Sequence, residues 1–243
     1  MNVIKLPLSF FVDKLNAREP FAFARYGDGE LQCMLGMRGE NCDGTVYTSD
    51  LAAALRLTLT EPRDYLYAIG PKVTSRDNLF AKQAKAFLEN CNVKEWHSTE
   101  TFLNASLAGE LGSFIVALQK RQVMLIGAAH LRKMESLFSI QVFVETPQVN
   151  AWNVRETIAR EIMRQSYQCD TLIFCAGMTS KVLIWELYPH LGATRTLIDC
   201  GSLWDMYCGM RSRSYARRLS DADIERLKRL NFREREASTY AHA

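Results

Sequence analysis

The chain has 243 residues, a hydrophobic share of 48% and a charged share of 23%, values of one large globular domain or at most two small ones. No apolar run approaches the ~20 residues of a membrane span. The seven cysteines are odd in number and form no C-x-x-C pair, which argues against a disulfide scaffold and a structural zinc site.

Short apolar runs rich in β-branched and aromatic residues predict strands over 21–25, 65–70, 122–127, 140–145, 171–176 and 195–200. Helical periodicity separates them. Ser49–Thr60 places Leu51, Ala54, Leu55 and Leu59 on one side, and 76–90 does the same with Leu79, Phe80, Ala84 and Phe87. At 153–165, Asn153 is an N-cap candidate followed three residues later by Glu156, a capping-box spacing. The stretch 179–191 carries Val182, Leu183 and Leu187. Strands alternating with helices imply an α/β fold: a Rossmann-like, mainly parallel sheet of about six strands with helices on both faces. A single domain is expected over 1–215, followed by a basic C-terminal helix and tail over 216–243. Nine Arg/Lys against five Asp/Glu lie between Arg211 and Glu236, an excess larger than the whole-chain net charge of +3. That segment is either a solvated face or a surface for an acidic partner such as nucleic acid. The first five residues lack a long apolar core and a cleavage site, so no signal peptide is expected and a cytoplasmic, reduced protein fits.

Ligands of open parallel sheets bind beyond the carboxyl ends of the strands. The loops at 25–30, 70–75, 127–130, 146–153, 177–181 and 201–205 are therefore the candidate site segments. The first, Arg25-Tyr26-Gly27-Asp28-Gly29-Glu30, is the most informative. If the backbone stays extended, Asp28 and Glu30 share a face and can hold a hard cation; in a helix they stand about 200° apart. Gly27 and Gly29 permit a sharp turn, and Arg25 adds a phosphate-binding guanidinium. The alternative is a capped surface turn, with Asp28 as the N-cap and Glu30 favoured in the first turn by the helix dipole. Gly177-Met178-Thr179-Ser180-Lys181 follows a strand and opens a helix whose N–H groups can take an anion, with Lys181 adding charge. Asp199 and Asp205 can each be a metal ligand, a base or a hydroxyl contact, or turn and cap residues. Arg211, Arg213 and Arg217 can reach phosphates or belong to the solvated segment. His130 is a candidate base or a structural histidine. Asn104 and Asn150 are candidate hydrogen-bonding residues for a sugar or base, or helix caps.

With these segments, the chain resembles the GT-D type glycosyltransferases, a group long described as a domain of unknown function. The likeness rests on Arg25-Tyr26-Gly27-Asp28-Gly29-Glu30, which matches an R-x-G-D-G-E signature with its D-x-E pair. It continues through Phe102-Leu103-Asn104, Pro147-Gln148-Val149-Asn150-Ala151, Gly177-Met178-Thr179-Ser180-Lys181-Val182-Leu183 and Ile198-Asp199-Cys200-Gly201-Ser202-Leu203-Trp204-Asp205. The resemblance implies transfer of a sugar from a nucleotide donor, typically a UDP-sugar, with Mn²⁺ or Mg²⁺. It implies that Asp28 and Glu30 hold the metal–diphosphate and that Arg25 and Lys181 contact the diphosphate. Gly201-Ser202-Leu203-Trp204-Asp205 replaces the G-H-x-D-x-E-Y-like segment of the better-known bacterial members.

The expected function is therefore metal-dependent glycosyl transfer from a nucleotide sugar to an acceptor hydroxyl on a glycan, a glycoprotein or DNA. Asp28, Glu30 and Asp205 are the expected catalytic residues, with Asp199 and His130 as further base candidates. Arg25, Gly27, Gly29, Asn104, Asn150, Gly177, Thr179, Ser180, Lys181, Asp199 and Ser202 are the expected donor-binding residues, and Asp28 and Glu30 the metal ligands. The alternatives are a DNA-base or nucleoside-modifying glycosyltransferase, motivated by the basic segment, and a non-catalytic nucleotide- or nucleic-acid-binding module.

Overall fold

A computed structural model describes residues 2–74 and 78–232. Eight strands form one sheet: β1 (Val3–Ile4), β2 (Ala22–Tyr26), β3 (Leu66–Ile69), β4 (Trp96–Ser98), β5 (Val123–Gly127), β6 (Ile140–Glu145), β7 (Thr171–Cys175) and β8 (Thr196–Asp199). Their spatial order is β1-β4-β3-β2-β8-β7-β5-β6, and every pairing is parallel. All six strands expected from the sequence are present. β1 and β4 were not foreseen, because runs of two and three residues carry too little period-2 signal to be seen.

Alternate residues of the central strands enter opposite core layers. Ala22, Ala24, Tyr26, Met124, Ile126, Leu172, Phe174 and Leu197 belong to one layer. Phe21, Phe23, Val123, Leu125, Ile173 and Ile198 belong to the other. This two-sided burial explains why the strands read as continuous apolar runs.

The handedness of the connections assigns each helix to its face. The steps β2→β3, β3→β4, β6→β7 and β7→β8 run one way across the sheet, and their helices Ser49–Thr60, Leu79–Glu89, Arg155–Gln165 and Thr179–Leu191 share the first layer. The steps β1→β2, β4→β5 and β5→β6 run the other way, and Leu8–Asn16, Thr101–Ala108, Gly112–Gln119 and the 3₁₀ segment Ala129–Ser136 share the second. Right-handed crossovers require this segregation. No single helix among the described residues is long and apolar enough to cross a membrane. The apolar pair Thr101–Ala108 and Gly112–Gln119, bent by 111°, buries Phe102, Phe114 and Leu118 in the second layer.

Two helix starts differ from expectation. Asn78 caps Leu79–Glu89 by accepting the Ala81 N–H at 2.8 Å, so the helix begins after 76, and residues 75–77 lie outside the described part. Asn153 caps nothing: it sits inside a 3₁₀ turn, Ala151–Val154, that runs directly into Arg155–Gln165.

The C-terminal helix Asp221–Phe232 is part of the second layer rather than an appendage. Ile224 and Leu227 are buried in that layer, and Asn231 is 0% exposed. The Asn231 carboxamide accepts the Leu111 N–H at 2.8 Å and donates to the Ser106 carbonyl at 2.9 Å and the Tyr207 hydroxyl at 2.8 Å. Residues 233–243 lie outside the described part. Asn231→Ala strands these buried partners and is expected to cost about 3 kcal/mol. Urea unfolding measures it, and unchanged stability would show that the helix is not docked.

Candidate active site

The parallel sheet brings the carboxyl ends of its strands to one edge, and a cavity of about 550 Å³ opens there. Its size suits a small-molecule or nucleotide ligand. The segments after β2, β3, β4, β5, β6, β7 and β8 all contribute to its wall. They are joined by 41–45 and 210–215.

After β2 the chain turns into a helix, Asp28–Met34, with Gly27 as its N-cap. Glu30 accepts the Gly27 N–H at 2.8 Å, the reciprocal half of a capping box. The extended arrangement that would make Asp28 and Glu30 converge is therefore not adopted. On the helix they point to different partners. The Asp28 side chain is 38% exposed and pairs with Lys72 at 2.9 Å. The Glu30 side chain is 9% exposed and pairs with Lys181 at 3.0 Å.

Lys181 is the centre of a buried charge network. Its ammonium lies 3.0 Å from Glu30, 3.1 Å from Asp199 and 2.9 Å from the Gly177 carbonyl, which satisfies its three donors. Asp199 ends β8 and is completely buried. It accepts the Gly201 N–H at 2.9 Å and the Arg25 N–H at 3.2 Å, and Arg25 Nε lies 4.0 Å from its carboxylate. Two acids and two bases leave the network neutral. Burial alone pushes the Glu30 carboxyl up, but the Lys181 charge, the hydrogen bond from Lys181 and the Gly27 N–H outweigh it, so the net direction is down. Burial lowers Lys181, and Asp199 and Glu30 more than reverse that.

The Arg25 guanidinium lines the cavity, and its Nε is buried with no hydrogen-bond partner among the described residues. It lies across Gly201, where a Cβ would stand 2.2 Å from Arg25 Nη2; the φ of +52° at Gly201 also favours glycine. A glycine is equally required at Gly177, whose φ is +58° and whose Cβ would meet Asp43 at 2.9 Å.

The opposite wall is built from the second-layer segments. His130 Nε2 lies 3.1 Å from Asp205 Oδ1, and the Ser212 hydroxyl donates to Asp205 Oδ2. Arg213 donates to Ser202 at 2.9 Å and contacts Cys42. Arg217 donates to the carbonyls of Arg211 and Ser212 at 3.1 Å, and Arg211 pairs with Asp221. Each of these three guanidiniums has a partner within the chain. Arg218, Arg226 and Arg229 of the same segment are exposed, and residues 233–243 lie outside the described part.

Of the expected site residues, Arg25, Gly27, Asp28, Gly29, Glu30, Gly177, Lys181, Ser202 and Asp205 line the cavity. Asn104, Asn150, Thr179, Ser180 and Asp199 do not. Asn104 is exposed on Thr101–Ala108. Asn150, in the left-handed region at φ 57°, accepts the Val46 N–H at 2.9 Å and so pins the 41–46 turn. Thr179 and Ser180 are buried at the helix start, where the Ser180 hydroxyl accepts the Ala176 N–H at 2.9 Å. Asp199 lies beneath the cavity as a support for Lys181, Arg25 and Gly201. Sequence reasoning missed Lys72 and the Asn41-Cys42-Asp43-Gly44-Thr45 turn. Lys72 follows Gly70-Pro71 in a loop that was singled out, so its signal was available. The turn follows no strand, and only packing brings it to the cavity.

Three solved structures share this fold. A selenomethionine-substituted structure of domain of unknown function 1792 has a TM-score of 0.65 at 21% identity, covering 84% of this chain and 80% of that chain. A second, of the same domain and described as having a distinct glycosyltransferase fold, has a TM-score of 0.64 at 21% identity with the same coverage. A third, described as a new glycosyltransferase (DUF1792) from Streptococcus sanguinis, has a TM-score of 0.63 at 19% identity, covering 85% of this chain and 84% of that chain. No family model matches the chain, and no curated protein matches it in sequence. The fold is thus the distinct glycosyltransferase fold described for domain 1792: an α/β domain whose all-parallel sheet is flanked by helices.

Glu30 is lowered from its ordinary 4.5, so its contribution to stability is present above that value and is lost as pH falls through the lowered one. Lys181 is raised from 10.5, so its contribution is present below that value and is lost as pH rises through the raised one. Lys181→Met leaves buried carboxylates unpaired and is expected to cost roughly 3–5 kcal/mol near neutral pH. It should also reverse the acid limb: without the cation, burial favours protonated Glu30, and stability rises as pH falls toward 4.5. Urea unfolding at several pH values reads both effects.

Proposed function

We propose that this protein is a glycosyltransferase that moves a sugar from a nucleotide donor, a UDP-sugar before others, to an acceptor hydroxyl, with Mn²⁺ or Mg²⁺ accompanying the donor diphosphate. The observation that carries this reading is the Arg25 guanidinium. It lines the cavity from near the carboxyl end of β2, held from behind by Asp199 4.0 Å from its Nε, and shares the cavity wall with the partly exposed carboxylate of Asp28. The likeness to the domain 1792 structures supports it.

The donor set suits a hard cation that arrives with its ligand. Asp28 Oδ2 is paired with Lys72, and the Asp28 side chain is open to the cavity. Cations of the Mg²⁺ type need one or two carboxylates and take their remaining oxygens from phosphates and water. Asp28 fits that role directly. Glu30 would have to leave Lys181 to serve as a second ligand, since both its oxygens are engaged. Among the described residues no group of three His, Cys, Asp or Glu side chains gathers to hold a metal unaided. When bound, the cation supplies positive charge to the departing diphosphate. Arg25 adds donors fixed by the β2–β8 junction, so they need no reorganisation as charge develops. Arg213, anchored on Ser202, extends the positive wall.

Asp28→Asn is expected to abolish the Mn²⁺-dependent part of the thermal shift produced by UDP while leaving the unliganded melting temperature within a few degrees. Arg25→Met is expected to lower sugar-nucleotide turnover roughly 100-fold. A panel of UDP-glucose, UDP-galactose and UDP-N-acetylglucosamine with Mn²⁺ supplies the assay. No turnover and no UDP-dependent shift in the unaltered protein would sink the reading.

A further inference from the structure

The transferase reading leaves open which group accepts the proton of the attacking hydroxyl. Asp205 is the obvious carboxylate, since it lines the cavity just after β8. Each of its two oxygens already has a hydrogen-bond partner. Oδ1 lies 3.1 Å from His130 Nε2, and Oδ2 accepts the Ser212 hydroxyl. Asp199 is unavailable, being completely buried beneath the cavity and committed to Lys181, Arg25 and Gly201.

His130 stands differently. It is the second residue of the 3₁₀ segment Ala129–Ser136, which follows β5 at the edge where the sheet delivers side chains to the cavity. A carboxylate only accepts hydrogen bonds, so contact with Asp205 places the imidazole proton on Nε2 and leaves the Nδ1 lone pair free. Nδ1 has no hydrogen-bond partner among the described residues, and it is not among the fully buried unpartnered atoms. The pair is held from both sides. The ammonium of Lys133, on the same 3₁₀ segment, donates to the Cys208 carbonyl at 3.1 Å, tying that segment to Asp205–Cys208. Ser212 fixes the carboxylate on its far side.

We propose that His130 is the catalytic base and Asp205 its positioning residue, a carboxylate–imidazole dyad on the acceptor side of the cavity. This rests on the glycosyltransferase reading and assigns a residue within it. In the step, the acceptor oxygen forms a bond to the anomeric carbon as its proton passes to His130 Nδ1. The bond from that carbon to the diphosphate oxygen breaks, and the nucleoside diphosphate leaves with the electron pair. Asp205 stabilises the imidazolium without taking the proton, as the buried carboxylate of a serine-protease triad does. A single displacement of this kind inverts the anomeric configuration.

The test uses the full-length protein and hydrolysis of whichever of UDP-glucose, UDP-galactose and UDP-N-acetylglucosamine it turns over with Mn²⁺, water serving as the acceptor. His130→Ala should lower kcat roughly 100-fold or more, with the UDP-dependent thermal shift unchanged. Added imidazole should restore part of the lost rate in His130→Ala. Asp205→Asn should also lose rate and should not be rescued by imidazole. The released sugar should carry the inverted configuration by NMR. His130→Gln, which keeps a polar side chain of similar reach, covers the case in which the alanine variant fails to fold. Full activity of His130→Ala or His130→Gln would overturn the dyad while leaving the transferase reading intact. So would rescue of Asp205→Ala by formate with none of His130→Ala by imidazole, which makes Asp205 the base, and so would a retained product. Absence of turnover by the unaltered protein would overturn the transferase reading and the dyad with it.

Discussion

The ammonium of Lys181 is the constraint on which the site depends. It is buried at the floor of the cavity, and its three hydrogen-bond positions are filled by Glu30, Asp199 and the Gly177 carbonyl. Those partners belong to the helix after β2, the end of β8 and the turn after β7. A buried charge without compensation is too costly to persist, so the three segments must meet wherever the lysine goes. The network is weak evidence for net stability, because desolvation offsets much of the attraction. Its consequence is positional: it holds Arg25 against β8 and turns Glu30 inward while Asp28 stays at the cavity.

The sheet makes that meeting possible. β2 and β8 are neighbours although some 170 residues separate them in sequence; Ala22 lies opposite Leu197 and Phe23 opposite Ile198. Right-handed connections send the helices after β2 and β7 to one face and the segment after β5 to the other. The cavity therefore has two chemically different sides. One presents Arg25, Asp28 and Lys72, suited to an anionic ligand and its cation. The other presents His130 and Asp205, and Arg213, bonded to Ser202 and in contact with Cys42, spans the two. A reaction that joins two substrates needs such a division, with each bound against its own wall.

Much of the fold was legible because its strands are buried on both faces. Met124-Leu125-Ile126 and Leu172-Ile173-Phe174 fill two core layers at once, so every position is apolar and the run stands out. The two short strands were illegible for the complementary reason. β4, of only three residues, follows Lys94-Glu95, and its His97 is buried in spite of its polarity. The site was legible in outline, since strand-to-helix loops in a parallel sheet converge. The roles within it were not. Glu30 looks like the twin of Asp28 in sequence, yet a helix beginning one residue after Gly27 rotates the two apart. Asn150 and Ser180 looked like ligand contacts and turn out to satisfy backbone N–H groups of the turns they support.

The sequence by itself determined the α/β class, the six longer strands, six of the segments that reach the cavity and the types of charge they carry. Hydrophobic period and glycine placement are local properties, and they act over a few residues. The tertiary structure alone decided which charged and polar groups meet. Lys181 with Asp199, His130 with Asp205 and Arg213 with Ser202 are pairings between segments far apart in the chain or on different loops. Electrostatics in a buried site depends on distance and desolvation, and neither exists until the sheet has set which strand ends are neighbours.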